Sequence, residues 1–466
     1  MSLSCSTSPS YDDHAPFIHK RLTIMFRLTA LLTLLWLPSV LFYEGSLDNF
    51  FVWRHHLTMY TGLLGLSYMA IAVLLAVRFR WVEKLVNGLD KGYRLHKQLG
   101  IGALIALCGH WLIIKSGPLL VSSGVLSRPN RGPAPEITGI NWHALAEQVG
   151  DIGFKVFLIF SIISLVQAIS YKRFKFTHKL GGVLMLVGVF HTAFLLDDHL
   201  GALPMNATIA LLSVIGVWCA WLSLSGRIGR RQQVSGHVTQ ITRYGAEADN
   251  EAVQIARFSI ALDGALDCQP GQFAYLNFHD GEAPHPFSIL HHDANSRSVT
   301  FGVKDLGDYT HQLVNTLTAG QRVTVEGGYG TFQIPQGKQQ VWVGAGIGIV
   351  PLLAHLYALA QQTSLHSQAT QPERVQLFYC VKNEKEAFFS HEINALLAKL
   401  PFVSLQLINA DKGQLLSSET VLSSQADTDF DLSFCGPQAF GDALKSGLQQ
   451  AGWADSRFHS EHFVMR

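Results

Sequence analysis

The chain has 466 residues, room for two or three domains, and a formal net charge of +1, which points to neither nucleic acid nor a strongly charged partner. Only 15% of the residues are charged and 48% are hydrophobic, and the average conceals a split: long apolar runs fill the chain to about residue 226, and ordinary globular composition follows. The six cysteines (Cys5, Cys108, Cys219, Cys268, Cys380, Cys435) form neither CxxC nor CxxCH, which argues against a zinc site, covalent c-type haem and a disulfide framework.

Residues 1–21 are polar and show no cleavage site before the first apolar run, so they read as a cytoplasmic tail whose following span targets the membrane. Six apolar stretches follow, at about 22–43, 57–77, 98–114, 152–170, 180–196 and 205–224, and residues 22–226 read as a six-helix transmembrane bundle. The third and fifth stretches are short and need flanking residues to complete a span. Basic residues gather in alternate connections: Arg78, Arg80, Lys84, Lys91, Arg94 and Lys97; then Lys172, Arg173, Lys175 and Lys179; then Arg227, Arg230 and Arg231. Positive charge stays inside, so both termini are expected in the cytoplasm of a cell (inner or plasma) membrane.

Four histidines sit at the ends of two co-directional spans. His96 and His110 are 14 residues apart, and His178 and His191 are 13 apart. An ionisable residue in a span is costly and marks function. By depth, His96 pairs with His178 and His110 with His191, which suits bis-histidine ligation of two stacked b-type haems roughly 20 Å apart. A spacing of 14 falls about 40° short of four turns, so His96 and His110 share a face; 13 falls about 140° short. Span five must then be irregular, as Gly181, Gly182 and Gly188 would permit, or His178 must lie where the span begins. His55, His56, His143 and His199 fall outside the spans and read as ordinary interfacial histidines, and Arg54 as a weak candidate for steering an anionic acceptor.

Residues 233–335 alternate as the strands of a small antiparallel barrel. "HPFS" (His285, Pro286, Phe287, Ser288), placed just after a barrel strand, offers a hydroxyl for flavin N5 at Ser288. Gly307, Asp308 and Thr310 in "VKDLGDYT", and Gly328 and Gly330 in "GGYGTF", offer backbone to a pyrophosphate. In residues 338–466 strands alternate with helices, as in a parallel α/β nucleotide-binding domain. There "GAGIGIVP" supplies Gly344, Gly346, Gly348 and Pro351 where a strand meets a helix, and "CGP" supplies Cys435, Gly436 and Pro437 at the end of a later strand.

Together, the two histidine pairs, "HPFS", "GAGIGIVP", "CGP" and the terminal "EHFVMR" resemble the ferric reductase and NADPH oxidase superfamily of flavocytochromes, in its bacterial single-chain form. The resemblance runs over nearly the whole chain and implies a ferredoxin-reductase-like pairing of barrel and nucleotide domain behind the helical bundle. It implies haem iron at His96, His178, His110 and His191, FAD at His285–Ser288, NADPH or NADH at Gly344–Gly348 with Cys435 near the nicotinamide, and Phe463 over the flavin face. It implies an NAD(P)H oxidoreductase with a small-molecule acceptor outside, either oxygen giving superoxide or ferric iron, and with no obligate protein partner evident. In this family a basic residue after the second strand of the nucleotide domain often meets a 2′-phosphate; Lys382 stands there, which favours NADPH. Ile114, four residues after His110, departs from superoxide-producing members that carry a histidine there, and leaves the acceptor open. A reductase of a membrane partner protein or quinone is the alternative, and a non-enzymatic membrane anchor a more distant one.

Overall fold

The computed structural model describes residues 15–127, 139–166, 177–245, 255–335, 337–364 and 371–461. The chain divides into two compact units, one of residues 1–77 and 94–228, the other of residues 78–93 and 229–466.

The first unit is helical: α1 (Ala15–Leu41), α2 (Phe50–Ala76), most of α4 (Leu89–Ser122), α5 (Trp142–Leu165), α6 (Leu180–Ala193) and α7 (Leu203–Leu224). Among the described residues, five helices are long and apolar enough to cross a membrane, while α6 is apolar but has only 14 residues. Asn49 and Asn141 cap α2 and α5 with side-chain oxygens, and Pro204 sits in the first turn of α7. In an apolar surrounding, hydroxyls become interhelical ties. Thr29 and Thr33 of α1 bond the hydroxyls of Tyr68 and Tyr60 of α2 at 2.7 and 2.8 Å.

Several helix boundaries differ from the sequence reading for the same reason, including the start of α5 at Trp142 rather than 152. α4 runs 34 residues where 17 apolar ones (98–114) marked a span, and α2 begins at Phe50 rather than 57. Charged and polar residues end an apolar run, but they do not end a helix, whose backbone bonds continue past them. His55 and His56 therefore belong to α2. Of the basic residues used for orientation, Lys172, Arg173 and Lys175 lie outside the described residues.

The second unit combines the barrel and the α/β half. A closed barrel has the strand order β1 (Gln233–Tyr244), β2 (Ile255–Leu262), β5 (Ser298–Lys304), β4 (His285–Asp293), β3 (Phe273–Asn277), β6 (Arg322–Tyr329). Its alternate residues, Phe258, Ile260, Leu276, Val299, Phe301 and Val325, fill the core. A parallel sheet has the order β11 (Phe458–Glu461), β10 (Asp431–Cys435), β7 (Gln339–Ala345), β8 (Arg374–Val381), β9 (Val403–Asn409). Its central strands β7 and β8 are largely apolar and buried, as strands covered on both faces must be, while the edge strand β9 alternates.

Residues 78–93, expected as a connection within the helical domain, belong to the barrel unit. They include α3 (Arg80–Val86), closed by Asn87 at φ 59 and Gly88 at φ 121. Arg78 pairs with Glu326 of β6 at 2.8 Å, with side-chain exposures of 12% and 4%. Its guanidinium also lies 4.3 Å over the ring of Tyr275. Burial works against the charge on Arg78, but Tyr93 and Glu326 outweigh it and hold the guanidinium firmly protonated. Glu83 accepts the Gly330 amide at 2.6 Å, and the Tyr93 and Tyr275 hydroxyls meet at 3.0 Å. Gly229, at φ 71, leaves the room that Glu326 occupies.

A buried charge that loses its partner is expensive. Glu326→Ala is therefore expected to destabilise the second unit by roughly 3–5 kcal/mol, and Arg78→Met with Glu326→Leu by much less. Thermal melts of the detergent-solubilised protein check this; equal losses in the two variants would show that the pair's charge is not what matters.

Candidate functional site

In the first unit the four histidines form two ring pairs. His96 of α4 and His178 have centroids 5.7 Å apart at an interplanar angle of 63°, and His110 of α4 and His191 of α6 are 6.2 Å apart at 84°. The irregularity that the 13-residue spacing demands is a turn at Lys179: His178 precedes α6, which starts at Leu180, and His191 lies near its end.

Three of the rings are held by carbonyls from neighbouring helices. The Nδ1 atoms of His96, His110 and His191 lie 2.8, 2.9 and 2.8 Å from the carbonyl oxygens of Ala72, Thr58 and Ala146. A carbonyl only accepts, so Nδ1 carries the proton and Nε2 keeps its lone pair. A histidine ready to bind metal has this arrangement, its other nitrogen anchored to a backbone oxygen. His178 Nδ1 is 3.3 Å from Ser164 Oγ, and its ring stacks on Phe160 at 5.3 Å.

Glycine makes room for these rings. A Cβ on Gly150 would lie 2.2 Å from His191 Nδ1, and one on Gly62 3.3 Å from His110 Cε1. The ring separations suit one metal between two imidazoles, given nitrogen–metal bonds of ~2 Å. An apolar cavity of about 520 Å³, lined by Val156, Phe160, Val183 and Leu224 with Lys179 as its charged member, adjoins the His96–His178 pair through Phe160. Among the described residues there is no group of three or more His, Cys, Asp and Glu side chains able to hold a metal ion. Each pair offers two imidazoles, a donor set that fits a haem, which His96 with His178 and His110 with His191 would hold.

In the second unit, "HPFS" lies within β4 rather than after a strand. Ser288 is half-buried and pairs with Phe273 of β3. The His285 and Tyr309 rings stack at 3.9 Å and 13°, and burial pushes the Tyr309 hydroxyl above its usual range. Gly307 and Asp308 open α8 (Asp308–Thr316), where Thr310 Oγ1 accepts the Leu306 and Gly307 amides at 2.9 and 3.0 Å and so shapes the turn. A helix start of this kind presents amides to phosphate. Gly328 packs closely on Gln272 and Cys268, and the Gly330 amide is engaged by Glu83, so these two glycines serve contacts within the unit.

At the carboxyl ends of β7 and β10 two turns approach closely. Gly344 and Cys435 are in register on adjacent parallel strands. A Cβ on Gly348 would lie 2.2 Å from the Cys435 carbonyl, and one on Gly436 would lie 2.7 Å from Ala345 Cβ. Gly346 has φ 55, and α9 (Ile349–Ser364) starts directly afterwards with Pro351 in its first turn. β7 is followed in sequence by β8 on one side, while β10 lies on the other. The Gly344–Gly348 turn and Cys435–Pro437 therefore flank a topological switch point, where open α/β sheets bind ligands. Cys435 is fully buried. The Lys382 carbonyl accepts the Asp411 amide at 2.9 Å, and its neighbour Glu384 pairs with Lys412. Phe463 lies outside the described residues.

Sequence reasoning missed the carbonyl anchors and Gly150, because the partner of a ring nitrogen leaves no motif. Gly348→Ala is expected to raise KM for the nicotinamide cofactor about tenfold, a step worth about 1.4 kcal/mol, with flavin content unchanged. Steady-state kinetics and flavin absorbance check it; an unchanged KM would place the cofactor elsewhere.

Residues 61–189 match the family described as ferric reductase like transmembrane component. The flavohemoprotein of Vibrio cholerae is 26% identical over 255 residues, 50% of this chain and 62% of that protein. The electron transfer component of anthranilate 1,2-dioxygenase from Acinetobacter baylyi is 23% identical over 209 residues, 43% of this chain and 59% of that protein. The chain thus spans about three fifths of the length of these two relatives. A flavohemoglobin structure from Malassezia yamatoensis aligns with a TM-score of 0.48 at 14% identity, over 88% of this chain and 98% of that one. The protein is an integral membrane protein that joins a domain similar to the ferric reductase like transmembrane component to a barrel and α/β half similar to the flavohemoprotein and the dioxygenase electron transfer component.

Proposed function

We propose that the chain carries electrons from cytoplasmic NAD(P)H, through FAD and two b-type haems, to a small-molecule acceptor on the other side of the membrane. The observation that carries this reading is the pair of histidine couples, with three Nδ1 atoms turned to backbone carbonyls and their Nε2 lone pairs kept. When bound, flavin accepts a hydride and yields electrons singly, and haem iron passes them on one at a time. The residues supply position and electrostatics. His96 and His178 hold one iron toward the cytoplasmic side, and His110 and His191 hold the other toward the outside. The carbonyls of Ala72, Thr58 and Ala146 fix ring rotation and raise the donor strength of Nε2. Ser288 offers its hydroxyl to the flavin edge, and Thr310 shapes the turn that meets the pyrophosphate. Gly344 to Gly348 let the dinucleotide approach the backbone, with Cys435 beside the nicotinamide.

The basic connections support cytoplasmic termini, and the absence of an acid directly after β8 supports NADPH over NADH, with Lys382 receiving the 2′-phosphate. Lys382→Ala should then lower kcat/KM for NADPH about tenfold while NADH is unaffected. Steady-state kinetics with both cofactors decides; equal efficiencies that the substitution leaves unchanged would remove the claim.

His96→Leu and His110→Leu should each lower haem content from two per chain, and Gly150→Ala should disturb only the His110–His191 site. Pyridine haemochrome assays with low-temperature spectra read this directly. Two haems retained in either leucine variant would overturn the ligand assignment.

A further inference from the structure

His56 is fully buried in α2, yet neither ring nitrogen has a hydrogen-bond partner among the described residues. It differs in this from His96, His110 and His191. Its ring stands edge-on to Tyr43 at 5.0 Å and 90°, and the neighbouring His55 ring is 5.9 Å away. Its carbonyl accepts the Trp36 indole N–H at 3.2 Å, which fixes the backbone but leaves the ring unsatisfied.

Its surroundings are rich in the same kind of atom. His55 is exposed at the surface, with 51% of its side chain accessible, and bonds Asp197 Oδ1 at 2.8 Å. Asp197, in the connection between α6 and α7, is only 12% exposed, and its Oδ2 has no partner among the described residues. Asn206 of α7 holds the Asp197 carbonyl at 2.7 Å through its amide nitrogen, and its own Oδ1 is buried without a partner among the described residues. Ser39 Oγ of α1 is in the same condition, while the Ser39 carbonyl lies 3.1 Å from His199 Nε2. The titratable groups around His56 are thus His55 on its own helix, Tyr43 after α1, and Asp197 and His199 from the α6–α7 connection.

Buried polar atoms without protein partners cost free energy unless water completes their bonds. Water completes such bonds where polar groups gather, and Asp197 and His199 are close enough to His56 to act on its charge. Here a surface histidine, His55, is bonded to a shielded carboxylate, Asp197. No group of three or more His, Cys, Asp and Glu among the described residues could hold a metal ion here. α2 also carries Thr58, the carbonyl anchor of His110, two residues beyond His56 and so about 3 Å along the helix axis.

We propose that His55, Asp197 and His56 form a proton-conducting entrance that serves an acceptor which takes up protons together with electrons. Protons enter at exposed His55, cross to Asp197, and reach His56 through the water that its ring nitrogens require. The acceptor class is one that consumes two electrons and two protons: a quinone going to its quinol, or dioxygen going to hydrogen peroxide. The electrons come from NAD(P)H and arrive singly; the protons come from the outer solvent. This rests on the transmembrane reductase reading above.

The test uses the full-length protein in nanodiscs with NADPH and three acceptors: a short-chain ubiquinone, dioxygen, and ferricyanide, which takes one electron and no proton. Asp197→Asn, which keeps shape, and His56→Gln should each slow quinol or peroxide formation about tenfold or more and enlarge its solvent deuterium isotope effect. Ferricyanide reduction should stay within about twofold. His55→Ala, at an exposed position where folding is not at stake, should show the same selective loss and recover with added imidazole. The quinone and dioxygen arms identify which acceptor is served. If all three acceptors slow together, or none slows, the relay is wrong. A wild-type chain that reduces ferricyanide but neither of the others removes the relay and leaves the reductase reading standing. Failure with all three removes both.

Discussion

Everything in the helical unit depends on one constraint: a buried imidazole has two nitrogens, and both must be accounted for where water is scarce. The ring nitrogen that donates must find an acceptor on another helix, and helix carbonyls are already bonded within their own helix. The carbonyls of Ala72, Thr58 and Ala146 accept a second bond, using the lone pair that the helix leaves over. Each such bond ties the histidine's helix to a neighbour and fixes the ring's rotation, and it directs the remaining lone pair away from the anchor. Gly150 and Gly62 belong to the same solution, since a side chain there would push the ring off its carbonyl or crowd its edge.

The second unit meets a different requirement, close approach of backbone. At the ends of β7 and β10, Gly348 and Gly436 allow one turn to pass within contact of the other. A dinucleotide site needs amides that can be reached, and any Cβ at Gly348 would collide with the Cys435 carbonyl. The Arg78–Glu326 pair serves rigidity in the same unit. It is almost wholly buried, flanked by Tyr275 and Tyr329, and reached by a segment that a reading of hydropathy assigns to the membrane domain.

The sequence was most legible where chemistry repeats at a fixed spacing. The 14- and 13-residue separations were enough to pair the histidines by depth, and the misfit of 13 with a regular helix pointed to the break found at Lys179. The barrel and the α/β half followed from strand alternation and from glycines at strand ends. What could not be read were contacts made by backbone atoms or across long separations. No residue type marks Ala72 or Ala146 as an anchor. Arg78 looked like one more positive charge on the inside, because a topology signal and a buried ion pair use the same residue. The ends of α2 and α4 were misplaced because polarity was taken as the end of a helix, when it ends only the apolar run.

Histidine alone therefore says little, and the hydrogen-bond account of each ring says more. His96, His110 and His191 have one nitrogen committed to a carbonyl and a second ring at about the distance a shared metal requires. That combination restricts each ring to one tautomer, which suits a ligand and would disable a proton carrier, since a carrier must accept at one nitrogen and release at the other. His56 has neither nitrogen committed among the described residues, and the neighbouring His55 ring is the adjacent residue on the same helix, its Nε2 bonded to Asp197. It stays free to exchange tautomers, which a relay needs and a ligand must avoid. On the two proposals, the same side chain would take opposite roles within one apolar unit, and the difference would lie in whether a neighbouring helix offers its carbonyl.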